Sequence, residues 1–162
     1  MAVFQIRTFP DPVLKQKAKR VTTIDRSIKK LVSDMIETLH AETGRAGLAA
    51  PQIGVPLRVI VIGPPEEEDI VLINPQIVRR RGERMIDEGC LSVPGYFGQI
   101  KRAESVTVKG RDPNGKEIRI KAEGLLAQAL EHEIDHLNGV LYLDHLESVE
   151  QLHKIEPEKP QM

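Results

Sequence analysis

EGLLAQALEHEIDHLNG, residues 123–139, carries apolar residues at helical spacing and puts two histidines and two acids into five consecutive positions. At about 100° per residue, His132 and His136 stand one turn apart and about 40° from each other on one helix face, where both imidazoles can bind one ion. Glu133 projects about 60° from His136, close enough to work on a water beside such an ion without being a ligand. Asp135 falls on the other side of His132 and suits an ion pair or a hydrogen bond to a ligand. Leu125, Leu126 and Ala129 continue the same face, so the histidines prolong an apolar stripe, and a buried pair without partners would be costly. Gly139 follows as a C-terminal cap.

Upstream, Ile28, Leu31, Val32, Met35, Ile36 and Leu39 recur at helical spacing behind Asp25, which predicts an amphipathic helix ending near Gly44. Between the two helices, LRVIVIG (57–63), DIVLINPQIV (69–78), ESVTVKGR (104–111) and KEIRIKA (116–122) read as strands, the last two joined into a hairpin by DPNG. VLYLDHL (140–146) reads as a final short strand and 147–162 as a flexible tail. The pattern predicts an α+β fold over residues 1–146, a single domain of antiparallel strands packed around a central metal-binding helix, with an N-terminal amphipathic helix.

A chain of 162 residues, 40% of them hydrophobic, supports one domain with its own core. The net charge of −1 supplies no overall field for nucleic acid or an anionic membrane, and the basic runs at 15–20 and 79–81 read as solvated surface. No direct nucleic-acid site is evident. No apolar run approaches the ~20 residues of a membrane span, and MAVFQIRTFPD lacks the basic and apolar segments of a leader, so a soluble cytosolic protein is expected. The single cysteine, Cys90, rules out an intramolecular disulfide and fits a reducing compartment. A catalytic metal usually has three protein ligands and a water, so a third ligand is needed. Glu147 and Glu150 are candidates downstream, as in a thermolysin-like protease; Cys90 is the candidate upstream, within EGCLSVPG (88–95).

Three motifs in order, GLAAPQIG (47–54), EGCLS (88–92) and HEIDH (132–136), together resemble the peptide deformylases. The resemblance implies that Cys90, His132 and His136 bind one divalent metal ion. Fe2+ is the ion expected in the cell, and Zn2+, Ni2+ and Co2+ suit the same donors. It implies Glu133 as the group that transfers protons, and Gln52 with the backbone N–H of Leu91 as donors to the formyl oxygen. The implied activity is removal of the N-formyl group from the N-terminal methionine of new polypeptides, with release of formate. N-formyl-Met nascent peptides are then the substrates, the ribosome surface near the exit tunnel is a candidate partner, and the bacterial cytoplasm is the setting.

Gly47, Ile86, Leu125 and Ala129 are the candidates to line an apolar pocket for the methionine side chain. The small residues Gly47, Ala49 and Ala50 would let an extended peptide approach and pair with that edge. Arg102 is a candidate partner for Asp135 or Glu88. One departure from the family pattern is Arg45, at a position usually occupied by glycine. A left-handed backbone there would strain it by roughly 1 kcal/mol, unless Gly44 absorbs the bend. Two other readings remain: the thermolysin-like endopeptidase, and a non-catalytic binding module whose metal is closed off by four protein ligands.

Overall fold

The run VIVI at β2 (Val59–Ile62) has no polar face, and in the fold both of its faces are buried. A computed structural model describes residues 2–154 of the chain. Val59 and Val61 pack toward α1 (Arg26–His40), with Ile28, Leu31, Met35 and Leu39 of that helix. Ile60 and Ile62 point the other way, into a cluster with Ala127, Leu130, Ile134 and Leu137 of α2 (Gly124–Leu137). A strand sandwiched between two helices needs apolar residues at every position rather than at every second one.

β2 lies in an antiparallel sheet with β1 (Gly47–Ala49), β3 (Ile70–Arg81), β6 (Ser105–Arg111) and β7 (Glu117–Glu123), in the order β1-β2-β3-β6-β7. The second sheet, β4-β5-β8, contains β4 (Arg84–Cys90), β5 (Val93–Arg102) and β8 (Leu152–Lys154). Leu14, Cys90, Val93, Ile100, Leu141 and Tyr142 form a third buried cluster behind it. The expected α+β architecture around a central helix is therefore present.

The start of α1 and the end of α2 are as their sequences predict. The Asp25 carboxylate accepts the Ile28 N–H at 3.1 Å and caps α1, which ends at His40, a few residues before Gly44. After α2, Gly139 takes φ +73°, the left-handed conformation that releases the chain from the helix. It also lies against the N-terminal segment: a Cβ at 139 would stand 2.5 Å from the Lys15 carbonyl oxygen. Gly139→Ala is expected to destabilise the protein by about 2 kcal/mol or more, because left-handed backbone alone costs a residue with a Cβ about 1–2 kcal/mol. A urea unfolding midpoint that falls with an unchanged slope would show it.

Three expectations are corrected. VLYLDHL does not form a strand: Tyr142–His145 is a 3-10 turn, closed by the Asp144 carboxylate, which accepts the Leu141 N–H at 2.8 Å. The flexible tail does not begin at 147, because Leu152–Lys154 pairs with Tyr96–Gly98 of β5; residues 155–162 lie outside the described ones. The third correction adds β4 and β5, a hairpin at residues for which no strand was expected. Their charged and apolar residues are interleaved, so no apolar run marks them.

Candidate metal centre

α2 carries the site between the two sheets. Its apolar face rests on the five-stranded sheet, and its next face turns His132 and His136 toward Cys90 at the end of β4. The ligand-capable atoms of Cys90, His132 and His136 all lie within 4.8 Å of one another, and all three residues are buried. His136 Nε2 is 3.2 Å from both His132 Nε2 and Cys90 Sγ. Two imidazole nitrogens and a thiol converging on one point are a donor set that suits a divalent first-row metal.

His132 is turned by its other nitrogen. Its Nδ1–H donates to Glu88 Oε2 at 2.7 Å, leaving Nε2 to face the convergence point. Glu88 is held in turn by Arg102, whose Nε and Nη2 donate to its two oxygens at 3.0 and 2.5 Å. Arg102 Nη1 reaches Asp135 Oδ2 at 2.8 Å, and His145 Nε2 meets the same oxygen at 2.9 Å. Arg102 thus binds both carboxylates proposed for it. Burial pushes the Glu88 carboxyl up, but His132 and Arg102 outweigh it and hold the pKa at about 2, so Glu88 stays ionised. Glu88→Gln keeps the size and loses the charge, and is expected to weaken metal affinity about 10- to 100-fold, measured by competition with a chelator.

Glu133 is fully buried, and neither carboxylate oxygen has a hydrogen-bond partner among the described residues. Burial pushes its pKa up to about 7, with the opposing pull of His132 too weak to cancel the rise. Unsatisfied oxygens at this depth mark a place for a water or a substrate group. Gly47 makes room for them, since a Cβ there would stand 2.8 Å from Glu133 Oε2.

Gln52 sits in the 3-10 turn Ala50–Ile53 that follows β1. Its Oε1 accepts the Ala49 N–H at 2.9 Å, which aims Nε2 at Ser92 Oγ (3.1 Å) and Cys90 Sγ (3.8 Å). Leu91 follows the thiol directly, in the two-residue turn between β4 and β5. β1 is an edge strand, paired on one side only. The bend before it is taken by Gly44 at φ +87°, so Arg45 escapes left-handed strain and donates from Nη1 to the Thr38 carbonyl.

The four pocket candidates are less uniformly placed. Gly47 touches Glu133, and Ile86 is half-buried beside the third cluster. Ala129 is enclosed in the core against the sheet, whereas Leu125 is 56% exposed near the start of α2. Glu147 and Glu150 are exposed and stand apart from the metal-competent group.

Sequence reasoning missed three residues around the site. Ser92 accepts from Gln52 and donates its N–H to Cys90 Sγ at 3.4 Å. Gln128 Nε2 donates to Glu88 Oε1 at 3.3 Å. Tyr142 is fully buried beside Cys90, with no partner for its hydroxyl among the described residues. Ser92 was readable as part of EGCLS; the other two carry no local signal.

The family model described as polypeptide deformylase matches residues 3–152. A peptide deformylase of Dehalococcoides mccartyi (strain CBDB1) is 57% identical over 159 residues, covering 98% of this chain and 95% of its own. Among solved structures, a peptide deformylase from Legionella pneumophila has a TM-score of 0.88 at 47% identity, with 93% of this chain and 89% of that one covered. A peptide deformylase from Synechococcus elongatus, in complex with actinonin, has a TM-score of 0.86 at 42% identity, covering 91% and 81%.

Proposed function

Since the chain belongs to the polypeptide deformylase family, we propose that Cys90, His132 and His136 hold its metal while Glu133, Gln52 and Leu91 act on the formyl group. The protein is a hydrolase that removes the N-formyl group from nascent peptides. The observation that carries the assignment of roles is the buried Glu133 carboxylate, with no hydrogen-bond partner among the described residues, beside three converging metal donors.

A divalent ion held by Cys90, His132 and His136 would supply Lewis acidity and would make a water acidic enough to lose a proton near neutral pH. Glu133 takes that proton as the water adds to the formyl carbon, and passes it to the methionine nitrogen as the C–N bond breaks, giving formate and a free amine. Gln52 Nε2 and the Leu91 N–H donate to the formyl oxygen as negative charge develops on it. The Ala49 N–H that pins Gln52 Oε1 keeps the amide oriented before substrate arrives.

The open edge of β1 takes the peptide as an added strand, with Gly47 leaving room at Glu133. Ile86, Leu125 and Ala129 lie along β4 and α2, and we assign them to the methionine side chain; the exposure of Leu125 places apolar surface where a ligand can cover it. Fe2+ is the proposed ion, with Zn2+, Ni2+ or Co2+ as functional substitutes in the same donors. N-formyl-Met chains emerging at the ribosomal exit tunnel in a bacterial cytoplasm are the proposed encounter. The bacterial relatives support that setting, and no helix among the described residues is long and apolar enough to cross a membrane.

The test is formate release from a formyl-Met peptide by anaerobically prepared protein, with metal content determined on the same sample. Metal-dependent formate supports the assignment. Metal binding with no formate returns the protease and binding-module readings to contention.

A further inference from the structure

The outward face of the five-stranded sheet carries charge that deformylation does not use. Val106, Val108 and Ala122 point into the core with α2, so the alternate residues of β6 and β7 stand on the opposite face, away from the metal centre. Strand pairing sets them in rows: Arg81, Ser105 and Glu123; Arg79, Thr107 and Lys121; Gln76, Lys109 and Arg119. Arg111 and Glu117 face each other at the far end.

Arg79, Arg81, Lys109, Arg111, Arg119 and Lys121 therefore share one face with only Glu117 and Glu123, although the whole chain has a net charge of −1. Lys109 is 3.5 Å from Glu117. The side chains of the other five cations have no hydrogen-bond or ion-pair partner among the described residues. Lys109 and Arg119 are direct cross-strand neighbours, an arrangement that repels. Arg79, Arg81, Ser105, Thr107 and Lys121 surround a concavity of about 230 Å3, with Glu123 also on its wall. Three cationic side chains and two hydroxyls around one hollow match the acceptor oxygens of a phosphate.

We propose that this sheet face binds the phosphodiester backbone of RNA, with one phosphate seated in the hollow. From the Ser105 row to Arg111 the cations extend over the seven residues of β6, roughly 20 Å, which exceeds a single phosphate and suits a chain of them. The choice of RNA among polyanions rests on the deformylase reading, because a nascent peptide is presented by an RNA-rich particle. The charge arrangement stands without it.

Fluorescence anisotropy of a labelled single-stranded RNA, titrated with the full chain at several salt concentrations, tests the proposal. Binding is expected to weaken steeply with salt. Arg79→Glu/Arg81→Glu/Lys121→Glu is expected to weaken it at least about tenfold, and to flatten the slope of log affinity against log salt by about 0.7 for each phosphate that is no longer neutralised. Arg26→Glu/Lys29→Glu, which changes exposed charges of α1, should retain binding, and both variants should keep wild-type formate release. If the triple variant fails to fold, Arg79→Ala/Lys121→Ala carries the same comparison. The proposal is overturned if wild type does not bind at low salt, if the α1 variant loses as much affinity, or if anionic phosphatidylglycerol vesicles bind the same residues as tightly. RNA binding by a protein that releases no formate would leave this proposal standing and remove the deformylase reading instead.

Discussion

Glu133→Gln is expected to bind as much metal as wild type and to release formate from a formyl-Met peptide about 10²- to 10⁴-fold more slowly. The amide has nearly the shape of the carboxylate, so the packing around position 133 survives, but it cannot accept the proton of the attacking water. Both oxygens are buried and have no hydrogen-bond partner among the described residues, so no hydrogen bond to them is removed with the proton acceptor. Burial has already raised its pKa to about 7, a value at which a carboxyl group can both take and return a proton near neutrality. A variant that keeps more than a tenth of the wild-type rate would remove Glu133 from the proton path. One that loses its metal would recast it as a structural residue.

Cys90→Ser is expected to purify with under a tenth of the wild-type metal, and its formate release should fall in proportion. A serine hydroxyl stays protonated near neutral pH and is a poor replacement for a thiolate donor. The substitution changes little else: the residue is fully buried in the third cluster, and the neighbouring Ser92 N–H keeps an acceptor in the new oxygen. A thermolysin-like protease would keep its metal here, with Glu147 or Glu150 as the third ligand. Both stand apart from the metal-competent group, which among the described residues is Cys90, His132 and His136. That group offers no fourth protein ligand, which also argues against the closed site of a binding module. Metal analysis after gel filtration, alongside the formate assay, separates the three readings.

These expectations draw unequally on sequence and structure. HEIDH was legible because its information is local: two residues four apart on a helix share a face whatever the rest of the chain does. The same holds for the apolar period of α1, its Asp25 cap and the DPNG hairpin, all set by neighbours within a few positions. Cys90 was different. Sequence spacing left it as one candidate ligand beside Glu147 and Glu150, and the family resemblance alone selected it.

What only the tertiary structure decided is which distant residues meet. Arg102 was expected beside Glu88 or Asp135, but that it joins both, with His145 at the far end and His132 in front, follows only from β4 pairing with β5 beside α2. Gln128 and Tyr142 reached the site in the same way. The cations of β3, β6 and β7 are scattered through a nearly neutral sequence, and only strand register gathers them on one face. Helical period is written into every few residues, whereas register depends on long-range pairing whose energy is shared across whole strands. The sequence by itself therefore determined the helices, the DPNG turn and the histidine pair, and the folded chain decided what surrounds them.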